Sequence, residues 1–336
     1  MTLLLDNDDV RRVLRMRDCI EVLDAAFRDY AHGHAVNRPR SHTYTDLGGG
    51  KHYLLKTMDG SLPRVGVHAL RVTSDLTYEH DGRRDKIPAA PGDRFVGLVL
   101  LFDIETLVPL AIVHDGYLQR MRVGATSALA AQRLARPDAR IAGVIGAGWQ
   151  AGAQIDGLRA VCDLDEVRVY APTRERLKAF CAEYGATPAA TAREAVEGAD
   201  VVALATNAHR PVVDASWLAP GAHVNSVQRH ELDDAVFERA ELVVVRSRDE
   251  PGFHYAPGHA PRAEARRPLD AGVVELGDVR TGAVRRRTSD GLTLFTGGGG
   301  LGIQFAAVTH LVYERARAEG LGRELPTEWF TQQEKP

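Results

Sequence analysis

A glycine-rich turn between two apolar segments limits the possible folds of this chain more than any other part of the sequence. ARIAGVIG (139–146) is typical of a strand, GAGWQA (146–151) is a G-x-G-x-x-A turn, and a helix is predicted over 150–161. Gly146 allows the tight turn, Gly148 lets a pyrophosphate approach the backbone, and Ala151 lets helix and strand pack closely. The pyrophosphate would lie at the positive end of that helix.

The turn therefore predicts a dinucleotide site in a Rossmann unit. A lone glycine motif is weak evidence, but here a strand, a turn, a helix and a second strand follow in order. A tight βα turn that holds no nucleotide is the alternative. The candidate cofactor residues of the turn are Gly146, Ala147, Gly148, Trp149, Gln150 and Ala151.

Strand and helix patterns alternate after residue 139, as in βαβ units on a parallel sheet. The predicted strands are EVRVYA (166–171), DVVALAT (200–206), AHVNSV (222–227) and ELVVVRS (241–247). We expect a doubly wound α/β domain, with ligands bound beyond the carboxyl ends of its strands. Three residues at the ends of two of these strands join the candidate cofactor site: Thr206, Asn207 and Val227.

The second strand of the unit favours NADP over NAD. An NAD site usually has Asp or Glu at the end of this strand, where it binds the ribose hydroxyls. Ala171 stands there instead, followed by Thr173, Arg174 and Arg176. A hydroxyl with guanidinium groups suits a 2′-phosphate. NAD remains possible, because both arginines could be solvated residues of the next helix.

The first part of the chain has a different pattern, typical of a mixed α+β region. A helix is predicted over about 16–32, and strands in HYLLKTM (52–58), GVHALRVTS (66–74) and FVGLVLLFDI (95–104). Residues 78–94 are polar and rich in turn formers, which predicts an exposed loop or hairpin tip. LQRMRVGATSALAAQRLA (118–135) is typical of a helix, and a last helix is predicted over 302–319.

Composition excludes several function classes. The 336 residues are 44% hydrophobic and 26% charged, as in an average soluble protein. With 42 basic and 45 acidic residues, the chain lacks the charge excess of a nucleic-acid-binding protein. No segment has the ~18 apolar residues of a membrane span, and the N-terminus lacks the pattern of a signal peptide. Cys19, Cys162 and Cys181 form no disulfide or zinc pattern, so we expect a cytoplasmic protein without a metal.

Cations in apolar surroundings are the remaining candidates for chemistry. Arg40, Lys56, Arg71 and Arg122 could bind an anionic substrate, and a buried lysine can also move protons. For each of them alone, an ordinary ion pair is the commoner explanation. His68 and His230 are weaker candidates. The motifs of serine hydrolases, zinc proteases and phosphate-binding loops are absent from the sequence, so these residues indicate a nicotinamide oxidoreductase that acts on an anion.

Segments along nearly the whole chain resemble the ornithine cyclodeaminase/mu-crystallin family. They are RPR (38–40), DGYLQRMRVGATSALAAQRLA (115–135), GAGWQA, GAHVNSV (221–227), ELDDAVFERAELVVV (231–245) and HLVYERARAEGLG (310–322). The resemblance implies NAD(P)(H), hydride transfer at the Cα of an amino or imino acid, and a homodimer. It also implies a substrate-binding and dimerisation domain made of residues 1–120 with 306–336, and a Rossmann domain over 121–305.

The resemblance also implies roles for single residues. Arg40 and Arg122 match the two arginines that hold the substrate carboxylate in the family. The family's acid/base lysine aligns with Arg71, which stays protonated and so can bind a second anionic group but is a poor proton donor. We therefore take Lys56, on the neighbouring strand, and His230 as the candidate proton donors.

Two further departures bear on the reaction. The cyclodeaminases have an Asp in the loop after the strand AHVNSV, whereas this chain has Gln228, Arg229 and His230. Near Phe305, relatives usually have an acid. We therefore favour an imine reductase or amino-acid dehydrogenase that binds a small anionic amino or imino acid. The alternatives are an ornithine cyclodeaminase, which recycles NAD while converting ornithine to proline and ammonia, and a mu-crystallin-like protein that binds NADPH and a ligand.

Overall fold

The chain folds around two β-sheets that share one helical layer. A computed structural model describes residues 1–80, 83–248, 253–257, 262–263, 272–286, 288–297 and 299–334. One sheet is mixed and is built mainly from the first 114 residues, and the other is parallel. In the described part of the chain, every helix is too short or too polar to cross a bilayer.

The first part of the chain supplies most of the mixed sheet. Its elements are β1 (Thr2–Leu5), α1 (Asn7–Val13), α2 (Met16–Ala31), β2 (Val36–Asn37), β3 (Ser41–Gly48), β4 (Lys51–Leu62), β5 (Val67–His80), β6 (Arg83–Ile87), β7 (Val96–Asp103), β8 (Pro109–His114) and α3 (Asp115–Leu134).

The rest of the chain supplies the parallel sheet and returns to the first. Its elements are β9 (Ile141–Ile145), α4 (Trp149–Val161), β10 (Glu166–Tyr170), α5 (Arg174–Tyr184), β11 (Thr187–Pro188), α6 (Ala192–Val196), β12 (Val201–Leu204), β13 (His223–Ser226), α7 (Asp234–Arg239), β14 (Ala240–Val245), β15 (Phe253–Tyr255), β16 (Arg262–Ala263), β17 (Val274–Glu275), α8 (Leu276–Thr281), β18 (Leu292–Thr296), α9 (Gly302–Glu319) and β19 (Arg323–Leu325).

The mixed sheet has the strand order β16-β15-β3-β4-β5-β7-β8-β1-β19, with β2 beside β4 and β6 beside β5. Most neighbours are antiparallel, whereas β15 runs parallel to β3 and β1 parallel to β8. The predicted loop over 78–94 contains β6, which pairs with β5, so this segment forms a hairpin. Helices α3 and α9 pack on the inner face of the sheet, and α2 packs against both helices, with buried side chains such as Leu23, Phe27 and Phe305.

The parallel sheet has the strand order β11-β10-β9-β12-β13-β18-β14-β17. Every pair in it is parallel, which confirms the predicted doubly wound Rossmann architecture. The order reverses direction beside β9, between β9 and β12, and this switch point is where such sheets bind ligands. The sequence patterns did not predict β18, although it lies in the middle of the sheet.

Helices α3 and α4 pack closely against each other through small residues. A β-carbon on Gly124 would collide with the carbonyl of Ala153, and one on Gly157 would lie 2.6 Å from the carbonyl oxygen of Gly124. The backbones of the two helices are therefore in direct contact, which fixes α3 relative to the glycine turn that precedes α4. The predicted domain boundaries at 120/121 and 305/306 fall inside α3 and α9. The division into two domains stays a prediction.

Candidate active site

The turn between β9 and α4 fits the phosphates of a dinucleotide. Gly146 adopts φ +118°, and a β-carbon there would collide with the carbonyl oxygen of Ala205. Gly148 is the N-cap of α4, and none of the described side chains caps this helix end. Its N–H groups are thus available to an anion. The remaining predicted residues, Ala147, Trp149, Gln150 and Ala151, occupy the turn and the first helical turn after it.

A buried carboxylate organises the neighbouring strand ends. Glu231 is 0% exposed and accepts hydrogen bonds from the backbone N–H of Thr206 (2.6 Å) and the Thr206 hydroxyl (2.8 Å). It also accepts from the Ser226 hydroxyl (3.1 Å) and the backbone N–H of Gln228 (2.8 Å). These bonds fix the loops after β12 and β13, where the predicted residues Thr206, Asn207 and Val227 lie.

The candidate residues for a 2′-phosphate lie just after β10. Ala171 is buried, and Thr173, Arg174 and Arg176 are exposed at the start of α5. The Arg176 Nε donates a hydrogen bond of 3.0 Å to the carbonyl oxygen of Ala147, so this guanidinium lies against the glycine turn. Among the described residues, neither Arg174 nor Arg176 forms an ion pair.

Three guanidinium groups meet at the glycine loop that follows β18. Arg246, at the end of β14, donates a hydrogen bond of 2.6 Å to the carbonyl oxygen of Gly299. A β-carbon would collide with Arg246 at Gly297, lie 2.7 Å from Arg40 at Gly299, and lie 2.9 Å from Arg122 at Gly300. Side chains at the described glycines would therefore displace the arginines from these positions. This loop brings the predicted residues Arg40 and Arg122 together at the carboxyl end of the parallel sheet.

Arg122 is a buried cation with neutral partners. Its guanidinium donates to the side-chain oxygen of Gln119 (2.8 and 3.1 Å) and to that of Gln304 (3.2 Å). In the described part of the chain, no carboxylate lies within ion-pair distance of it. Burial, followed by the charges of Arg246 and Arg71, holds the pKa of Arg122 well below its usual range. A bound carboxylate would relieve this cost.

Arg71 is also buried, but its charge is balanced. Its Nε lies 2.5 Å from a carboxylate oxygen of Asp115, at the start of α3. Gly97 makes room for this carboxylate, since a β-carbon there would lie 2.6 Å from it. Both buried arginines lie against the Phe305 ring, with the guanidinium carbons of Arg71 and Arg122 each 5.0 Å from its centre.

Lys56 lies on the same face of the mixed sheet as Arg71. Its Nζ is 3.4 Å from a carboxylate oxygen of Asp75, which also pairs with Lys86 at 2.9 Å. Burial, followed by the charge of Lys86, lowers the pKa of Lys56 to about 8. An ammonium group with this pKa can donate a proton near neutral pH.

The other predicted proton donor, His230, lies in the loop after β13. It is exposed in a short 3-10 helix after β13, and its ring stacks on that of His209 at 5.4 Å. None of its described contacts joins it to Arg40, Arg71 or Lys56. The described residues also contain no group of three or more His, Cys, Asp or Glu that could hold a metal ion.

The sequence patterns did not identify Arg246, Asp115, Glu231 and Asp75 as site residues. Arg246 had a usable signal, because it directly follows the apolar strand ELVVV and so stands at the ligand-binding end of a parallel strand. The three acids had none, because each has a partner on a different strand or loop: Arg71 is 44 residues from Asp115, Lys86 is 11 residues from Asp75, and Thr206 is 25 residues from Glu231.

Comparisons with known proteins find a matching family model and several similar proteins. The model of the ornithine cyclodeaminase/mu-crystallin family matches residues 1–320. Alanine dehydrogenase of Archaeoglobus fulgidus is 28% identical over 333 residues, which are 96% of this chain and 98% of that protein.

Two solved structures are also similar. The Δ1-pyrroline-2-carboxylate reductase of Thermococcus litoralis, in complex with NADH and L-proline, has a TM-score of 0.77 and 26% identity, covering 96% of this chain and 100% of that chain. An archaeal alanine dehydrogenase dimer with bound NAD has a TM-score of 0.79 and 27% identity, covering 97% and 99%.

Proposed function

Since this chain belongs to the ornithine cyclodeaminase/mu-crystallin family, we propose that it reduces a small imino acid with NADPH and holds the substrate carboxylate between Arg40 and Arg122. The chain is an NAD(P)-dependent oxidoreductase of the class that acts on the carbon–nitrogen bond of amino and imino acids. The bound dinucleotide supplies the hydride, and the protein binds, orients and protonates.

The observation that carries the proposal is the buried Arg122 guanidinium, whose described partners are neutral amide oxygens. A carboxylate would form charge-assisted and bidentate hydrogen bonds with it, about twice as strong as neutral ones. Arg40 reaches the same glycine loop from the other sheet, so a carboxylate between the two arginines would lie where the sheets meet. This loop is at the carboxyl end of β18, the edge on which the dinucleotide binds.

Arg71 contributes to the same anionic environment as a fixed cation. Its ion pair with Asp115 balances its charge and aims it toward Phe305. We therefore assign it to orienting the substrate. Binding of a second carboxylate by Arg71 remains a narrower hypothesis, and a keto diacid in the substrate panel tests it.

A proton must reach the developing amine when the imine arrives neutral. Lys56 can donate it, because its pKa of about 8 keeps most of the side chain protonated at neutral pH. His230 is the second candidate, although its described ring contact is with His209 alone. Loss of turnover in Lys56→Met with retention in His230→Ala would support the lysine.

NADPH is the proposed cofactor because three groups suited to a phosphate follow β10. Arg174 and Arg176 have no described carboxylate partner, and Thr173 adds a hydroxyl. The buried Ala171 offers no carboxylate to the ribose hydroxyls of NAD.

The loop after β13 disfavours ornithine cyclodeamination. Its buried acid, Glu231, accepts four hydrogen bonds from Thr206, Ser226 and Gln228. A carboxylate held in this way is committed to the loop structure and is unavailable to assist a cyclisation.

We further propose that the chain forms a homodimer through the outer face of the mixed sheet. Tyr53, Val96 and Leu98 are 37%, 42% and 40% exposed on this face, and Leu98 lies opposite Val72. A cluster of exposed apolar side chains is typical of a protein interface, and the similar archaeal alanine dehydrogenase is a dimer. Light scattering after size exclusion should give twice the chain mass, and Leu98→Glu should give a folded monomer.

The function is tested by measuring the consumption of NADPH, and separately of NADH, over a panel of cyclic imino acids and keto-acid/amine mixtures. We expect turnover of at least one α-imino carboxylate and the higher kcat/KM with NADPH. Absence of consumption with both dinucleotides would overturn the proposal. Ornithine is then the next substrate, and its conversion to proline and ammonia without net cofactor change would identify a cyclodeaminase.

A further inference from the structure

One buried carboxylate on the inner face of the mixed sheet serves two ammonium groups. The Asp75 side chain is 2% exposed and lies 2.9 Å from the Nζ of Lys86 and 3.4 Å from that of Lys56. We propose that Asp75 and Lys86 are positioning residues that set the location and the acidity of Lys56. The inference rests on the proposed function in that Lys56 is the proton donor there.

The strand register explains why these three side chains meet. Lys56 on β4 lies opposite Thr73 on β5, and Lys86 on β6 lies opposite Thr77 on β5. Side chains two apart on a strand share a face, so Asp75 stands on that face midway between the two cross-strand pairs. From there its carboxylate reaches a lysine on either neighbouring strand.

The group formed by Lys56, Lys86 and Asp75 carries a net positive charge when both lysines are protonated. Two ammonium groups share one carboxylate, which also accepts a hydrogen bond of 3.4 Å from the Thr73 hydroxyl. Burial lowers the pKa of Lys56 most, the charge of Lys86 lowers it further, and the Asp75 carboxylate raises it. Asp75 therefore anchors the lysine while Lys86 offsets the carboxylate's effect on its acidity.

Other charged or titratable groups also surround Lys56, and their influence on its pKa must be distinguished from that of Asp75 and Lys86. Arg71 on β5 lowers the lysine's pKa and is itself paired with Asp115. His42 on β3 lies opposite Lys56, and its ring nitrogen is 3.2 Å from that of His254 on β15. Arg71, Asp115 and the two histidines are unchanged in the variants below, so a shift between those variants reports the charge that was removed.

Two single substitutions should move the acidity of Lys56 in opposite directions. Lys86→Met removes a like charge and should raise the pKa of Lys56 by about one unit. Asp75→Asn removes the opposite charge and should lower it by about one unit or more. A loss of packing or of folding would not produce shifts of opposite sign.

The pKa of Lys56 can be measured without turnover by competitive acetylation with acetic anhydride over a range of pH, read by mass spectrometry. The pH dependence of kcat for imine reduction is the second readout. Activity needs protonated Lys56, so it should fall as pH rises through the lysine's pKa, later in Lys86→Met and earlier in Asp75→Asn. Lys86→Arg, which keeps the charge, and Lys51→Met, which removes an exposed lysine from the same strand, should leave both readouts unchanged.

The two readouts separate the inference from the proposed function. If acetylation gives the same pKa for Lys56 in Lys86→Met, Asp75→Asn and the unaltered protein, the inference is overturned, whatever the enzyme reduces. If the pKa shifts while the kcat profile stays in place, Lys56 is not the proton donor, and its part in the proposed function fails. If the two variants shift both the acetylation pKa of Lys56 and the pH profile of kcat in opposite directions, the inference and the proton-donating role of Lys56 are both supported.

Discussion

The proposed cofactor side and the proposed substrate side of the candidate active site are built in different ways. The cofactor turn comes from one continuous strand–turn–helix segment, with its main constraints in six residues from Gly146 to Ala151. The substrate side combines Arg40, Arg71, Arg122 and Arg246 with a glycine loop near residue 300. The first depends on backbone geometry, and the second on the placement of charges from distant parts of the chain.

The two sides should therefore respond differently to substitution. A backbone site fails when a side chain enters space that only glycine leaves open, which costs stability as well as binding. A charge site fails when one cation is lost or moved, which costs binding while the fold persists. Substitutions on the two sides should therefore separate folding defects from catalytic defects.

The largest effect is expected from Gly146→Ala. The new β-carbon would meet the Ala205 carbonyl in a left-handed backbone conformation, which should cost about 3 kcal/mol or more of unfolding free energy and abolish dinucleotide binding. Chemical denaturation and quenching of protein fluorescence by NADPH measure the two effects. Gly185→Ala is the matched control, because Gly185 also has positive φ (+54°) but has open space around it.

We expect Gly185→Ala to cost only about 1 kcal/mol, the ordinary cost of a left-handed residue, and to leave NADPH binding unchanged. Equal losses in the two variants would show that the conformation alone matters. A steric clash with the Ala205 carbonyl would then not explain the loss of stability and of dinucleotide binding in Gly146→Ala.

An intermediate effect is expected from Arg122→Ala. Loss of a buried charged partner of the substrate carboxylate should reduce kcat/KM about a hundredfold, since hydrogen bonds to charged groups contribute about 1.5–3 kcal/mol each. The thermal unfolding temperature should change little or rise, because burial of the Arg122 charge is itself unfavourable. Steady-state kinetics and a thermal melt check both parts.

Arg133→Ala on the same helix is the control, because Arg133 is exposed. It should leave kcat/KM within about twofold, as expected of a surface substitution away from special features. An Arg122→Ala enzyme with an unchanged KM and kcat would mean that the carboxylate binds elsewhere. Arg122 would then not belong to the substrate side of the site.

The smallest effect is expected from Arg174→Ala, where the charge is exposed. The KM for NADPH should rise about tenfold and that for NADH should not change, because only NADPH has the 2′-phosphate. Lys178→Ala, an exposed cation on the same helix, should alter neither value. A parallel rise of both KM values would argue against recognition of the 2′-phosphate by Arg174.

Much of the fold could be predicted from local sequence patterns. The predicted helix over 302–319 coincides with α9, and the one over 16–32 ends within a residue of α2. Both have regular apolar spacing and end near a glycine, which makes their limits local properties. By contrast, β18 and the pairing of β15 with β3 depend on neighbours that the sequence does not identify.

The predicted site residues divide in the same way. Thr206, Asn207 and Val227 lie at the expected sheet edge, because a parallel strand determines where its end must be. Lys56 and Arg71 stand on the strands predicted for them, whereas their partners Asp75 and Asp115 were not identified. The proton-donating role of Lys56 stays a prediction until the pH profiles are measured.

The parallel βα architecture and the glycine turn could be inferred from local patterns, because steric requirements on the backbone and periodic burial act over a few neighbouring residues. Which charges meet could be known only from the folded chain. It paired Arg71 with Asp115 and left Arg122 among amide oxygens. Electrostatic interactions depend on distance in space and on burial, and both arise only when segments far apart in the chain pack together.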